Sequence, residues 1–390
     1  MDNRKNNTSR RNFLLQATSM GAGISFAPIQ GAFCGEAKKE NAFSENLSEL
    51  SSKMETKITL LYTSDIHAQL HTHDEFFWEN NKPVYKRRGG MAVLKTMIKT
   101  LRNKNPSNTI VLDGGDYFHG HAIASKTEGE ALIPVFNDMG YDLMLPGNWE
   151  VVYKKKKMLF DMGHAHAAKI CANMWHQTND ESNGELIFPP YWIKVINGIK
   201  IGFIGYTDHL IPKRQSPAYS IGIRFEHAEK NIARYVSLLR EVEDCTIVLL
   251  VTHMGLAQQV GLGNNPVCTG VDFILGADTH ERVRIPIECK YTKVIECGAF
   301  GSFLGKLEFT VENKKIKSYS YDLLDADPAV YRPDPELAKM IDIISNPFNP
   351  ELKKVIGIST TPLVRYFVLE TPMDNLITDA IQWKFKPDIA

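Results

Sequence analysis

Five places in the 390-residue chain join an apolar, strand-like run to residues able to bind a metal ion. The run at 109–112 empties into Gly114-Gly115-Asp116, which puts a carboxylate on a tight glycine turn just past a strand end. The run at 58–63 leads into Asp65-Ile66-His67, and 142–145 into Gly147-Asn148-Trp149-Glu150. The run at 246–252 stops at His253, and 271–275 leads into Gly276-Ala277-Asp278-Thr279-His280. Open α/β sheets bind their ligands at such strand ends. One Asp or His there is usually a cap or a hydrogen-bonded loop residue, but this series offers Asp, His and Asn donors together. The donor set reads as a two-metal site, with one carboxylate bridging two divalent ions and the other side chains filling the remaining positions.

The elements that must carry these donors alternate along the chain. Helical spacing of apolar residues predicts helices over 90–101 (Met91, Leu94, Ile98, Leu101), 131–139 and 228–242. Asn197-Gly198 between 191–196 and 200–206 is a strong hairpin signal, and 304–311 with 316–323 predicts a second hairpin. The mixture points to a layered α/β sandwich.

In order and context the five motifs resemble the calcineurin-like metallophosphoesterases, and within them the 5′-nucleotidase family. The resemblance runs from Lys57 to about Asp325 and rests on Asp65-x-His67, Gly115-Asp116, Gly147-Asn148, the isolated His253 and Gly276-x-Asp278-x-His280. It implies a four-layer αββα sandwich over 57–325. It also implies that Asp65, His67 and His280 hold one metal, that Asn148, His253 and Asp278 hold the other, and that Asp116 bridges. The family usually has His where this chain has Asp278. An added carboxylate tilts the site toward hard ions such as manganese without excluding zinc.

A second departure concerns the leaving group. Most of the family reads Gly-Asn-His where this chain has Gly147-Asn148-Trp149, and the missing His is the one that assists departure. Indole offers no acid or base function. Gly-Asn-Trp-Glu followed by Tyr153 resembles the thiosulfohydrolase branch of the bacterial sulfur-oxidation (Sox) system, whose manganese enzymes release sulfate from a sulfonate held on a carrier-protein cysteine. The chemistry agrees, because expelling an alkoxide calls for a proton donor whereas expelling a low-pKa sulfur anion does not. That resemblance places Asp116, Asn148 and Trp149 at the reacting centre and has Tyr153 donate a hydrogen bond to the substrate. Alternatively, Trp149 only packs and His119, His121 or His209 supplies the proton. Three readings follow: a thiosulfohydrolase whose partner is a sulfur-carrier protein with a cysteine adduct, a 5′-nucleotidase or related phosphoesterase acting on small nucleotides, and an inactive metal-binding interaction protein.

Composition sets the surroundings. Forty-five basic residues balance forty-five acidic ones, which gives no general pull toward nucleic-acid polymers or anionic membranes. Residues 1–37 read as a targeting segment: Arg10-Arg11-Asn12-Phe13-Leu14 resembles a twin-arginine signal, and the apolar stretch behind it is too short and too interrupted for a membrane span. Export by the twin-arginine machinery to the periplasm is the expectation, with 38–56 as a polar tether. Cys171, Cys245, Cys268, Cys289 and Cys297 lack CxxC spacing and read mostly as core thiols, a Cys268–Cys289 bridge being the one pairing left open. Lys154–Lys157 reads as a solvated helix start or an anion attractor, and Arg87-Arg88 as part of a turn or an oxyanion aid. A proline-punctuated stretch at 326–369 reads as a connector around a helix at 337–344. A helix opening at Pro372 and a strand start at Pro387 read, over 370–390, as the truncated beginning of a C-terminal α/β domain of 5′-nucleotidase type.

Overall fold

The computed structural model describes residues 55–178, 184–365 and 370–389. The expected signal peptide at 1–37 and nearly all of the tether at 38–56 lie outside the described residues. The strands of the first half are β1 (Thr56–Thr63), β2 (His73–Glu79), β3 (Lys82–Arg88), β4 (Thr109–Asp113), β5 (Leu143–Met144), β6 (Ala168–Lys169), β7 (Met174–His176) and β8 (Tyr191–Ile196). Those of the second half are β9 (Ile199–Thr207), β10 (Ile223–Phe225), β11 (Ile247–His253), β12 (Phe273–Gly276), β13 (Ile287–Glu288), β14 (Lys293–Glu296), β15 (Phe303–Glu312) and β16 (Lys315–Asp325). They build two six-stranded sheets, in the orders β16-β15-β1-β4-β5-β6 and β13-β14-β12-β11-β9-β8, and two short ribbons, β2-β3 and β7-β10.

Alternation along the strands explains the layers. On β11, Ile247, Leu249 and Val251 join the large core shared with the first sheet, while Val248 and Leu250 point the other way into a second cluster with Ile232, Val236 and Leu239. β9 does the same with Ile201 and Phe203 against Ile204 and Tyr206. Between the sheets, Phe273 of β12 meets Phe309 of β15 edge-on at 5.7 Å, and Tyr62 Oη of β1 donates to the carbonyl of Gly276 at 2.8 Å. Helix Met91–Arg102 buries Met91, Leu94, Met97, Ile98 and Leu101 in the larger core. The result is the four-layer αββα sandwich.

Toward the sheet edges β8, β13, β15 and β16 run antiparallel to the strands they pair with, but β1, β4, β5 and β6 are mutually parallel, as are β9, β11, β12 and β14. The ends of β1, β4, β5, β11 and β12 therefore collect on one edge of the sandwich. The two predicted hairpins form, with Asn197 and Gly198 both at positive φ (48° and 77°), as the tight turn requires.

Several expectations are corrected. The helix expected over 228–242 is broken into a 3₁₀ turn at Ala228–Lys230, a helix at Ile232–Ser237 and a wide π turn at Leu238–Val242. Arg87 and Arg88 lie in β3, which no turn reading anticipated: Arg88 pairs with Asp325 and Asp327, and Arg87 with Asp74. The connector helix, Pro335–Ser345, buries Leu337 and Ile341 in the main core and so belongs to the domain's packing. Helix Pro372–Phe385 forms with Thr371 as its cap, but residues 387–389 form no strand. The cysteines follow the expectation: Cys171, Cys245, Cys268 and Cys297 are buried free thiols, and the pairing left open between Cys268 and Cys289 is not formed.

Candidate dinuclear metal centre

The donors reach the site from strand ends, His253 as the last residue of β11 and five of the others through strained turns. Asp65, His67, Asp116, Asp278 and His280 all have positive φ (53°, 48°, 65°, 91° and 60°), a region that costs an L residue about 1–3 kcal/mol each. Hydrogen bonds between the turns hold them there: Asp65 N donates to Gly115 O at 2.9 Å and His67 N to Asp116 O at 2.9 Å. Gly147 must lack a side chain, since a Cβ would stand 2.7 Å from Asp116 N and 2.8 Å from the His253 ring.

The side chains then converge in two overlapping sets, Asp65 with His67 and His280, and Asp65 with Asp116 and His253. Asp65 Oδ1 lies 3.5 Å from His280 Nε2 and 3.7 Å from His253 Nε2. Asp116 fixes one oxygen by accepting Trp149 N–H at 2.8 Å and aims the other at one ring of each set, 3.7 Å from His67 Nε2 and 3.2 Å from His253 Nε2. His253 donates its Nδ1–H to Gly114 O at 2.7 Å, which leaves Nε2 as the lone-pair nitrogen facing inward. His67 Nε2 and His280 Nε2 stand 3.0 Å apart.

This donor set fits divalent cations. The amide of Asn148 turns one end toward Asp278 Oδ1, His253 Nε2 and Asp116 Oδ2 at 3.1, 2.9 and 3.0 Å, and the other end toward Gln215 Nε2 at 2.9 Å. With its oxygen inward the amide faces two carboxylate oxygens and the His253 nitrogen, an arrangement a cation relieves; with its nitrogen inward its two N–H groups are shared among the three and its oxygen accepts from Gln215. Electrostatics agree. Burial works against a charged His253, yet Asp116 and Asp65 outweigh it and raise its pKa well above the usual imidazole range. Burial would raise Asp116, but His253 and His67 hold it below the usual carboxylate range. At His67, by contrast, burial outweighs the same two carboxylates and lowers the pKa.

Behind the ligands stand three buried carboxylates that tie the turns together. Glu150 accepts the N–H groups of Gly147, Asp116 and Tyr117 at 2.6, 2.9 and 2.7 Å. Glu296 accepts Thr279 N at 2.9 Å and its hydroxyl at 3.0 Å, and Asp113 accepts Gly115 N at 3.0 Å and the Thr63 hydroxyl. Burial and the charge of Asp116 push Glu150 up to about 7, and burial and the charge of Asp65 do the same to Glu296, up to about 7.

Of the ligands, His67, Asp116, Asn148, Asp278 and His280 line a cleft of about 410 Å³ together with Trp149, Gln69, Arg214, Gln215 and Phe300. Trp149 stacks flat on His119, with centroids 4.1 Å apart and planes 3° apart. Asp278 joins the cluster but also accepts Arg214 Nη1 and Nη2 at 2.8 and 2.9 Å. Tyr153 lines a separate depression with Glu128, Glu130, Lys154, Lys156 and Lys157, so neither it nor the lysine run is brought to the metal cleft. His209 packs against His227 with the rings tilted and their centroids 3.7 Å apart, and does not line the cleft. Arg214 and Gln215 went unread in the sequence: they stand beyond the strand-end turn, at the end of the short helix Ile211–Arg214 and just after it. Phe300, at positive φ and 5.2 Å from the His280 ring, carried no signal either.

A profile of the calcineurin-like phosphoesterases matches residues 58–282. The 5′-nucleotidase of Vibrio cholerae serotype O1 is 27% identical over 304 residues, covering 69% of this chain and 51% of the relative. Among solved structures, the sulfate thiohydrolase SoxB of Thermus thermophilus superposes with a TM-score of 0.76 at 20% identity, over 84% of this chain and 68% of that one. A 5′-nucleotidase precursor, also from Thermus thermophilus, superposes with a TM-score of 0.72 at 22% identity, over 85% and 67%. The chain spans about half the length of the curated relatives it matches. The chain belongs to the calcineurin-like phosphoesterases, a family of metal-dependent hydrolases.

Proposed function

We propose that the protein is a dimetal hydrolase that releases sulfate from a cysteine S-thiosulfonate on a carrier protein, exported to the periplasm by the twin-arginine route and working with manganese. The observation that carries this reading is Trp149. It lines the cleft beside Asn148 and is packed face to face on His119. The side chain nearest the expected leaving group therefore has no proton to give, and only a leaving group stable as an anion departs readily from such a site. Burial, then the neighbouring His67, draws His119 below the ordinary imidazole range, so at neutral pH its ring carries no extra proton either. Asp65, His67, Asp116, Asn148, His253, Asp278 and His280 would hold the ions, which supply Lewis acidity and lower the pKa of water. Asp116 sets the spacing of the two sets, and Asn148 faces the reacting group.

A 5′-nucleotidase is the second reading. It is favoured by the nucleotidase relatives and by the position of His119, whose ring also lies edge-on to His67 at 6.1 Å. Rates on a protein cysteine S-thiosulfonate and on AMP, measured with manganese, separate the two. Turnover of the thiosulfonate with little action on AMP is expected; the reverse preference would sink the proposal. Trp149→His should then raise AMP hydrolysis by about 10²-fold, the lower end of what a positioned acid contributes.

A further inference from the structure

Arg214 is the one lysine or arginine among the described residues that line the metal cleft. It ends the short helix Ile211–Arg214, which follows β9, and its guanidinium is pinned from two sides. Nη1 donates to Asp208 Oδ2 at 2.7 Å and to Asp278 Oδ2 at 2.8 Å, and Nη2 donates to Asp278 Oδ1 at 2.9 Å. Asp208 is itself fully buried and accepts Leu210 N at 3.0 Å, so the anchor is rigid. A guanidinium has five N–H groups in a fixed fork. Three are used, and Nε–H and one hydrogen on Nη2 have no protein acceptor among the described residues. The Arg214 side chain is 39% exposed, on the wall of the cleft.

Asp116 and Asp278 line that cleft, with Asp65 fully buried beside them, and these carboxylates repel an anionic substrate. We propose that Arg214 is a specificity-determining residue: it neutralises Asp278, and its two remaining N–H groups grip the tetrahedral oxyanion end of the substrate. The planar fork suits sulfonate or phosphate oxygens, and its immobilisation is already in place before the substrate arrives. The lysines at 154, 156 and 157 line a different depression and cannot share the task. This inference rests on the hydrolase reading above and deepens it.

The test uses the full chain loaded with manganese. Inorganic sulfate and inorganic phosphate are titrated by calorimetry into the wild type, Arg214→Lys and Arg214→Gln, with metal content measured in each sample. Arg214→Gln should weaken anion binding about 10- to 100-fold, the range of a lost charged hydrogen-bonding group, with manganese content unchanged. Arg214→Lys should recover part of the loss, and KM for the substrate should rise more than kcat falls. The anion that the wild type holds more tightly names the substrate's end as sulfonate or phosphate. Unchanged anion affinity in Arg214→Gln, a loss only in proportion to missing manganese, or a wild type that binds neither anion would overturn the proposal. Should the wild type turn over neither thiosulfonate nor nucleotide, the functional reading fails, while the anion titration still decides the role of Arg214.

Discussion

At the scale of single residues, the centre is a set of acceptors pressed together until only positive charge can relieve them. His253 is raised by Asp116 and Asp65 against its burial, and Glu150 and Glu296 are pushed up to about 7, so the metal-free protein holds protons that cations must displace. For the two glutamates, whose ordinary pKa is 4.5, the folded protein binds more protons than the unfolded chain between pH 4.5 and about 7. Their contribution to metal-free stability is therefore full below pH 4.5 and is lost as the pH rises through about 7. Manganese affinity should move the opposite way across that window, rising by about tenfold per pH unit for each proton released. Calorimetry at pH 6 in buffers of different ionisation heats should show proton release on binding, and less of it with Glu296→Gln. No release at all would mean that the site is already deprotonated.

At the scale of elements, what matters is how turns from different strands are locked to one another. Glu150 joins the turn after β5 to the turn after β4 through three N–H groups, so Glu150→Ala should lower metal affinity by about 10- to 100-fold although Glu150 touches no ion. Equilibrium dialysis with manganese measures this, and an unchanged affinity would show that the turns hold without the clamp. The strand ends were legible in the sequence because apolar runs stop abruptly at glycine or at a donor, as at Leu112-Asp113-Gly114 and Thr252-His253. The β2-β3 ribbon was not. Its second strand, Lys82-Pro83-Val84-Tyr85-Lys86-Arg87-Arg88, has no apolar alternation and opens near a proline, and its pairing is held instead by tertiary contacts such as the buried Glu75 bound to Arg282. Arg214 was hidden for a related reason. Its partners Asp208 and Asp278 are six and sixty-four residues away, and no local pattern announces a bond of the longer kind.

At the scale of the whole molecule, the site exists only where the two sheets meet. β1, β4 and β5 deliver Asp65, His67, Asp116 and Asn148 from one sheet, and β11 and β12 deliver His253, Asp278 and His280 from the other. Bound cations should stabilise the folded state by about 2.7 kcal/mol per site at a free concentration one hundred times Kd. A chelator should accordingly lower the melting temperature of the wild type, and that of a Glu150→Ala protein by a smaller amount. His67 and His280, 213 residues apart in the chain, come within 3.0 Å. An ion bound between them is a removable cross-link around a loop of more than half the protein. Closing so long a loop costs only slightly more than closing a short one, so the tie acts mainly by forbidding the sheets to part independently. Amide hydrogens on β1 and on β12 should then exchange together and slowly while the ion is held, and at separate rates once it is withdrawn.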